Sequence, residues 1–182
     1  MSEPDLKKTV TTILGSENGA EGIREMKALR DRAPLEALDA IICLLSASEE
    51  TLRRRAGSSL STFREHIGTR ADILTEPLQH NSDARVRLSC AIAPMSTPTA
   101  SVTLAHRRAL EDPFDKVAQT ACLEVKDRGG AEGTEALMRT PGHNSWRVRL
   151  EACKALISQG TGDRRIVETL RAILPLCVPA RT

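Results

Sequence analysis

Apolar residues follow a helical spacing near the C-terminal end of the chain. Over 146–157 they fall on one stripe of a helix, at Val148, Ala152, Cys153, Ala155 and Leu156. The segment "QGTGD" at 159–163 then interrupts the pattern, with two glycines that suit a helix end and Asp163 that suits the next helix start. A second stripe runs over 164–174, where Pro175 is expected to end the helix. The pattern therefore predicts a pair of helices.

The same pattern recurs along the chain with a step of 31 residues. The letters R-V-R-L begin at Arg85 and again at Arg147, and a degraded copy, "KVAQTACLEV", begins at Lys116 between them. Fainter copies, "LRRRAGSSL" and "IREMKAL", begin at Leu52 and Ile23. We therefore expect repeat units that begin near residues 19, 49, 82, 113 and 144, after a short leading helix over 4–14.

The third and fourth units show the same division into two helices. In the fourth, the pattern predicts helices over about 114–127 and 132–139, separated by "DRGG" and closed by Pro141. In the third, Pro94 and Pro98 flank the break between the helices. Two helices of about a dozen residues cannot bury both faces alone, whereas stacked pairs share a continuous core.

Two runs resemble the HEAT family of helical repeats. One is the D-x-x-V-R opening at 83–87, and the other is the V-R-x-x-A-x-x-A-L run at 148–156. The resemblance implies an all-α fold, a right-handed α-solenoid of about five HEAT-like helix pairs, which forms a single domain over residues 1–182. It is strongest over 82–174, and it leaves 175–182 as a C-terminal tail.

The resemblance also implies a ladder of structural side chains between the repeats. In HEAT-type repeats the opening Asp and Arg of each unit usually form this ladder, which here would contain Arg53, Asp83, Arg87 and Arg149. The fourth unit departs from the family pattern, because Ala118 takes the place of the arginine. In the basic run "LRRRAG" at 52–57, one arginine is expected to serve the ladder and the others to be solvated.

The composition is typical of closely packed helices. Aromatic residues make up 2% of the chain, so Leu, Ile, Val, Ala and Cys must form the core. The cysteines lie singly, and Cys122 and Cys153 share one phase of the repeat, which favours reduced core thiols in a cytoplasmic protein. The N-terminus lacks the apolar region of a signal peptide, and no segment approaches the length of a membrane span.

The distribution of charge favours the C-terminal half as a binding surface. The net charge of +2 is too small to imply a polyanionic partner by itself. Residues 82–182, however, carry an excess of basic residues that are mostly Arg, which suits contacts with carboxylate or phosphate. The candidate binding residues on the second helices are Arg107, Arg139, Arg164, Arg165 and Arg171. Acidic residues lie among them, as on an ordinary solvated helix.

Motifs for metal binding or catalysis are missing from the sequence. It has no C-x-x-C, no H-E-x-x-H and no G-x-S-x-G, and its four His are scattered over three units. The deoxyhypusine hydroxylases, an enzyme family with a similar architecture, hold iron on paired His-Glu motifs, and no such pair occurs here. We therefore expect no metal and no cofactor, and we favour a non-enzymatic protein without excluding an enzyme.

These observations predict a scaffold or adaptor that binds a protein or peptide, preferably an acidic segment, along a groove lined by the second helices. One alternative is a groove that binds DNA or RNA through phosphates, which resembles the grip of some bacterial DNA glycosylases. Few aromatic residues are present to stack a base, since Trp146 is the only indole. Another alternative is a subunit of a chromophore lyase, because the bilin lyases of phycobilisomes resemble this repeat type.

The end of the chain raises the question of self-association. Solenoids need a polar outer cap, and Leu176, Cys177 and Val178 form an apolar segment after the last predicted helix. Either this segment folds back over the last helix pair, or it docks onto another chain. A homodimer through the C-terminal end is one expected form, and no membrane partner is expected.

Overall fold

The chain is all-helical wherever its structure is described. The computed structural model describes residues 3–16, 18–97, 99–128 and 130–177. The described residues form eleven α-helices and three 3₁₀ segments joined by turns and loops, and none of these residues is in a strand. The all-α class expected from the sequence is therefore confirmed. The chain divides into two compact units, Met1–Val102 and Thr103–Thr182, and the boundary falls inside one helix.

The first unit begins with the leading helix that the sequence predicts, close to the expected bounds of 4–14. Its helices are α1 (Glu3–Gly15), α2 (Gly19–Arg32), α3 (Pro34–Leu44), α4 (Glu50–Ser59), α5 (Thr75–His80), α6 (Ala84–Ile92) and the first residues of α7 (Ala100–Ala109). The helices α2, α4 and α6 begin within two residues of three predicted unit starts, at 19, 49 and 82. These three helices therefore begin close to the starts that the sequence periodicity predicts.

A long irregular segment, Leu60–Leu74, connects α4 to α5. It consists of tight 3₁₀ turns and is kinked at Phe63, whose φ of −106° and ψ of 15° are not helical. Long 3₁₀ runs are uncommon because their hydrogen-bond geometry is poor, so packing must hold this one in place. Phe63, Ile67 and Leu74 are all fully buried. Burial of each such side chain contributes about 1.5–3 kcal/mol, which anchors the segment.

The second unit contains the rest of α7 and four further helices. They are α8 (Asp115–Arg128), α9 (Gly130–Arg139), α10 (Trp146–Ser158) and α11 (Arg164–Cys177), with a 3₁₀ turn at Thr140–Gly142 before α10. The predicted helices over 114–127, 132–139 and 146–157 lie within two residues of these bounds. The predicted end of the last helix was wrong. Helix α11 continues through Pro175 to Cys177, since a proline removes one hydrogen bond but its φ remains helical.

The loop between α10 and α11 has the helix-end chemistry that the sequence predicts. Gly160 has a left-handed φ of +75°, which an L-residue adopts only with strain. The Thr161 amide donates to the Leu156 carbonyl at 3.0 Å, and the Gly160 amide donates to the Ile157 carbonyl at 2.9 Å. The carboxylate of Asp163 accepts from the Arg165 amide at 2.8 Å and so caps the start of α11.

The core consists mainly of aliphatic side chains and thiols, with Phe63 and His106 also fully buried. Cys90, Cys122 and Cys153 are completely buried, on α6, α8 and α10, and each is a free thiol. Burial raises the pKa of Cys90 and of Cys122 to about 12, which keeps both protonated and unreactive. The expectation that these in-phase cysteines are small core residues agrees with this packing.

The C-terminal tail is described only in part. The backbone of Leu176 and Cys177 belongs to α11, whereas their side chains and residues 178–182 lie outside the described part of the structure. The predicted apolar docking segment at Leu176–Val178 therefore stays a prediction. None of the described helices is long and apolar enough to cross a membrane.

Candidate functional site

A polar side chain at a spacing of 31 residues fixes the loop before each of three first helices. The side chains of Asn81, Asp112 and His143 accept hydrogen bonds from the backbone amides two residues later, at 2.9, 2.8 and 3.0 Å. Such turns hold the entry to the helix that follows. Sequence reasoning missed this set, because the three residue types differ and share only their place before the helix start.

Two of these side chains also join one repeat to the previous one. Within the first unit, Nδ2 of the Asn81 side chain donates to the Leu45 carbonyl at 2.8 Å. Within the second unit, Nε2 of His143 lies 3.4 Å from the Asp112 carbonyl, which fits a tautomer protonated at Nε2 because Nδ1 accepts from Ser145. The loops are therefore held in register by hydrogen bonds between backbone and side chain.

The predicted ladder arginines share one geometry, which is local to each repeat. Each guanidinium donates through Nη1 to the carbonyls six and five residues earlier. The distances are 2.7 and 2.7 Å for Arg53, 2.8 and 3.3 Å for Arg87, and 2.8 and 2.9 Å for Arg149. The arginines thus close the loop before their own helix, whereas the resemblance implied bonds between repeats.

Asp83 provides a contact between repeats. Its carboxylate caps α6 by accepting from the Arg85 amide, and it accepts from Nε of Arg54 on α4 at 2.8 Å. Burial alone would raise the pKa of Asp83, but the hydrogen bonds from Arg85 and Arg54 lower the pKa below its ordinary value. The charged carboxylate is therefore part of the folded structure.

The arginines of the basic run at 52–57 all bind other parts of the fold, and Arg54 and Arg55 also keep part of their side chains in solvent, as the sequence predicts. Arg54 pairs with Asp83 and with Glu50. Arg55 donates to the carbonyls of Leu14 and Ser16 at 2.5 and 3.0 Å. Carbonyls at a helix end lack partners within the helix, and a guanidinium with several donors satisfies them.

The candidate site is a cavity of about 450 Å³ in the second unit. It lies between α7, the loop before α8, the end of α9 and the loop before α10. Its ionisable and polar lining includes Arg107, Glu111, Asp115, Arg139, His143 and Ser145. Two of the five arginines predicted from the sequence are therefore brought together here.

The two arginines of the cavity differ in how much of each guanidinium is available. Arg107 is bound to Glu132 of α9, and its side chain is 21% exposed. The hydrogen bond from Arg107 lowers the pKa of Glu132. Arg139 contacts Glu135 one turn away at 3.4 Å and remains 64% exposed. A pair so exposed contributes little, so Arg139 is the cation that a ligand can reach.

The other three predicted arginines lie on α11 and do not line this cavity. Arg164 pairs with Glu168 at 2.7 Å, and Arg165 pairs with Asp163 at 3.0 Å, which lowers the pKa of Asp163. Arg171 is exposed and has no ion-pair partner among the described residues. Two of these three cations therefore carry their own counter-charges.

Acidic groups also line the cavity. Asp115, at the start of α8, accepts from Oγ of Ser145 at 2.5 Å. Glu111 is exposed and makes no ion pair in the part of the chain that the structure describes. The cavity thus presents donors from Arg107 and Arg139 and acceptors from Glu111 and Asp115. Such a lining can hold a ligand that carries both kinds of group.

Two further kinds of group that often take part in binding are an aromatic ring and a cluster of metal ligands. Trp146, at the start of α10, has the Arg147 guanidinium 4.7 Å from its ring centre, as in a cation–π contact. Within the described ranges, no group of three or more His, Cys, Asp and Glu side chains could hold a metal ion.

Comparison with known proteins gives a likeness in fold alone. No family model matches the chain, and no curated protein matches it. The chain is similar to the crystal structure of an engineered protein, a target of the Northeast Structural Genomics Consortium. The two share 17% identity with a TM-score of 0.54, over 98% of this chain and 91% of that one.

Proposed function

We propose that this protein is a non-enzymatic adaptor, a right-handed α-solenoid of HEAT-like helix pairs that binds a protein or peptide segment. The observation that carries the proposal is the cavity of about 450 Å³ in the second unit, whose lining combines the cations Arg107 and Arg139 with the carboxylates Glu111 and Asp115. Polypeptides offer donors, acceptors and both signs of charge along one segment, so they match such a lining.

The 31-residue recurrence of Asn81, Asp112 and His143 supports the solenoid part of the proposal. Identical loop geometry at a constant step is what stacked repeats require. We also expect a single repeat domain that works in the cytoplasm, as the sequence predicts.

The ion pairs favour a protein partner over a nucleic acid. Four of the five candidate arginines hold a carboxylate of this chain. Binding of DNA or RNA depends on cations that neutralise phosphates and release counterions. Cations that are already paired with a carboxylate contribute less to the binding of phosphates. A surface of alternating charges instead complements the mixed charges of a protein partner.

Arg139 is the residue that would meet an acidic group of the partner. Its side chain lines the cavity and is 64% exposed, and its bond to Glu135 is long. A carboxylate of the partner could therefore replace Glu135 with little loss. This contact retains the preference for an acidic segment that the sequence suggested.

A display selection of 12-residue peptides tests the proposal. We expect the protein to enrich peptides that bind with micromolar affinity and that carry an acidic residue. Arg139→Glu should weaken their binding about tenfold or more, because like charges across an interface cost several kcal/mol. Arg171→Glu on α11 is the matched control and should leave the affinity unchanged.

Two outcomes would contradict the proposal. One is equal loss of affinity in the Arg139 and Arg171 variants. The other is a labelled 20-base-pair duplex that binds more tightly than any selected peptide and weakens steeply with salt, which would favour the nucleic-acid alternative.

A further inference from the structure

The repeats themselves show how a guanidinium is held at the loop before a first helix. Arg53, Arg87 and Arg149 each occupy the fourth position of their helix and donate to two carbonyls of that loop. The residue types in the three loops differ, but the geometry is the same. The loop backbone is therefore a general acceptor for an arginine side chain.

Helix α8 lacks this arginine. Its fourth residue is Ala118, so α8 itself supplies no guanidinium to the loop that precedes it. The corresponding carbonyls belong to Asp112 and Pro113. Nε2 of His143 lies 3.4 Å from the Asp112 carbonyl, so a ring from the next loop reaches one of the two acceptors. The other acceptor belongs to Pro113, which lines the cavity.

A cavity at the corresponding place in the first unit shows where the missing guanidinium would lie. That cavity, of about 300 Å³, lies between the loop before α4, helix α5 and the loop before α6. Its lining includes Arg53 together with Ala47, whose carbonyl the Arg53 guanidinium binds at 2.7 Å. The cavity of the second unit lies likewise between two loops and the helix that connects them, but it has no ladder arginine, is also lined by Arg107 of α7, and has a larger volume of about 450 Å³.

The carboxylates that line the second cavity would complement a cation placed beside the loop before α8. Glu111 and Asp115 flank the loop that lacks its arginine, and both line the cavity. The neighbouring Arg107 is neutralised by Glu132, which lies outside the lining. A guanidinium that entered beside the loop would therefore meet carboxylates that carry no other cation.

We propose that the cavity binds an arginine side chain of the partner, which takes the place that Arg53, Arg87 and Arg149 occupy in their own repeats. This inference rests on the proposed function and specifies its chemistry. The partner segment carries an arginine for the side formed by Glu111 and Asp115, and an acidic group for Arg139.

Titration of the ¹⁵N-labelled full chain with Nα-acetyl-L-arginine amide tests this inference. The control ligand is the citrulline counterpart, which has nearly the same shape but no charge. We expect the arginine compound to bind about tenfold more tightly, because bonds from a charged donor are the stronger ones. Amide shifts should be largest at residues 111–115 and 142–145.

Three variants locate the site. Glu111→Gln should weaken binding about threefold. Glu65→Gln, an exposed carboxylate of the first unit outside the cavity, should leave binding unchanged. Ala118→Arg should abolish binding, because the chain's own guanidinium would occupy the loop. If Ala118→Arg does not fold, the Glu111 variant and the citrulline compound decide the question.

The inference is overturned if the citrulline compound binds as tightly, if Glu111→Gln and Glu65→Gln behave alike, or if the shifts lie elsewhere. Its failure is distinguishable from failure of the proposed function. Selected peptides that bind the cavity equally well after every arginine is replaced by citrulline would leave the adaptor function standing and remove the arginine site. A selection that yields no cavity-binding peptide would remove both.

Discussion

Nε of Arg54 on α4 lies 2.8 Å from Oδ2 of Asp83, which caps α6, 29 residues further along the chain. The bond joins the starts of two successive first helices. The Asp83 side chain is 6% exposed and the Arg54 side chain is 41% exposed, so water reaches the guanidinium but hardly reaches the carboxylate. Replacement of either residue therefore tests whether charge helps to hold the repeats together.

Asp83→Asn should destabilise the protein by about 1 kcal/mol at pH 7, a value that allows for the exposure of Arg54. The asparagine retains an oxygen that can cap α6, so the loss of stability reports the contribution of the carboxylate charge rather than that of the helix cap. Urea unfolding followed by circular dichroism gives the difference. Glu168→Gln removes an exposed pair on α11 and should cost less than about 0.5 kcal/mol.

The same pair should make stability depend on pH in the acid range. The pKa of Asp83 is lower in the folded protein than in the unfolded chain. The unfolded state therefore binds the proton first, and the stabilisation is complete above the unfolded pKa of about 4. It is lost as the pH falls through the folded pKa. The wild-type and Asp83→Asn unfolding free energies should thus converge below about pH 4, and a constant difference down to pH 2 would contradict the assignment.

Arg149→Ala should destabilise the protein by about 1–3 kcal/mol, because two carbonyls of the loop before α10 lose their donor. Arg149→Lys restores one donor and should recover part of the loss. Thermal and urea unfolding of both variants give the comparison. Arg171→Ala, an exposed substitution on α11, serves as the control. Equal stability of the Arg149 and Arg171 alanine variants would show that the bonds to the loop contribute nothing.

Gly160→Ala should cost about 1–2 kcal/mol, because φ is +75° and a Cβ strains the left-handed conformation. Gly162→Ala, two residues later, is the matched control. A Cβ at either glycine would meet no atom within 4 Å, so packing cannot explain a difference between them. Differential scanning calorimetry should give a lower melting temperature for the Gly160 variant alone. A similar drop in the melting temperature of both variants would show that a general change in loop stiffness, and not the left-handed φ of Gly160, causes the loss.

Alkylation at pH 8 should separate the cysteines by site. Cys43 is exposed and should react within minutes. Cys90 and Cys122 should stay unmodified in the folded protein, since burial raises the pKa of both to about 12 and keeps them as thiols. Peptide mapping by mass spectrometry before and after addition of urea reads out each site. Labelling of Cys122 at the rate of Cys43 would show that α8 opens readily.

Much of the helical plan follows from the sequence, because it depends on local rules. Apolar spacing located α8 to α10 to within two residues, and Gly160 and Asp163 marked the end of one helix and the start of the next. The same rules failed at Pro175, where α11 continues to Cys177. Packing also decides which apolar residues in and after α7 are covered, since Leu110 is buried while Leu104 stays 41% exposed.

Long-range contacts decided the roles of the polar side chains. The sequence placed Arg53, Arg54 and Arg55 in one basic run, yet each binds a different part of the fold because each points in a different direction around α4. The common function of Asn81, Asp112 and His143 is visible only once their loops are in place. The cavity that unites Arg107, Arg139 and Glu111 likewise depends on how α7 packs near the loops around α9. Sequence determined where helices begin and end, since that depends on neighbours along the chain, whereas tertiary structure decided which charges meet.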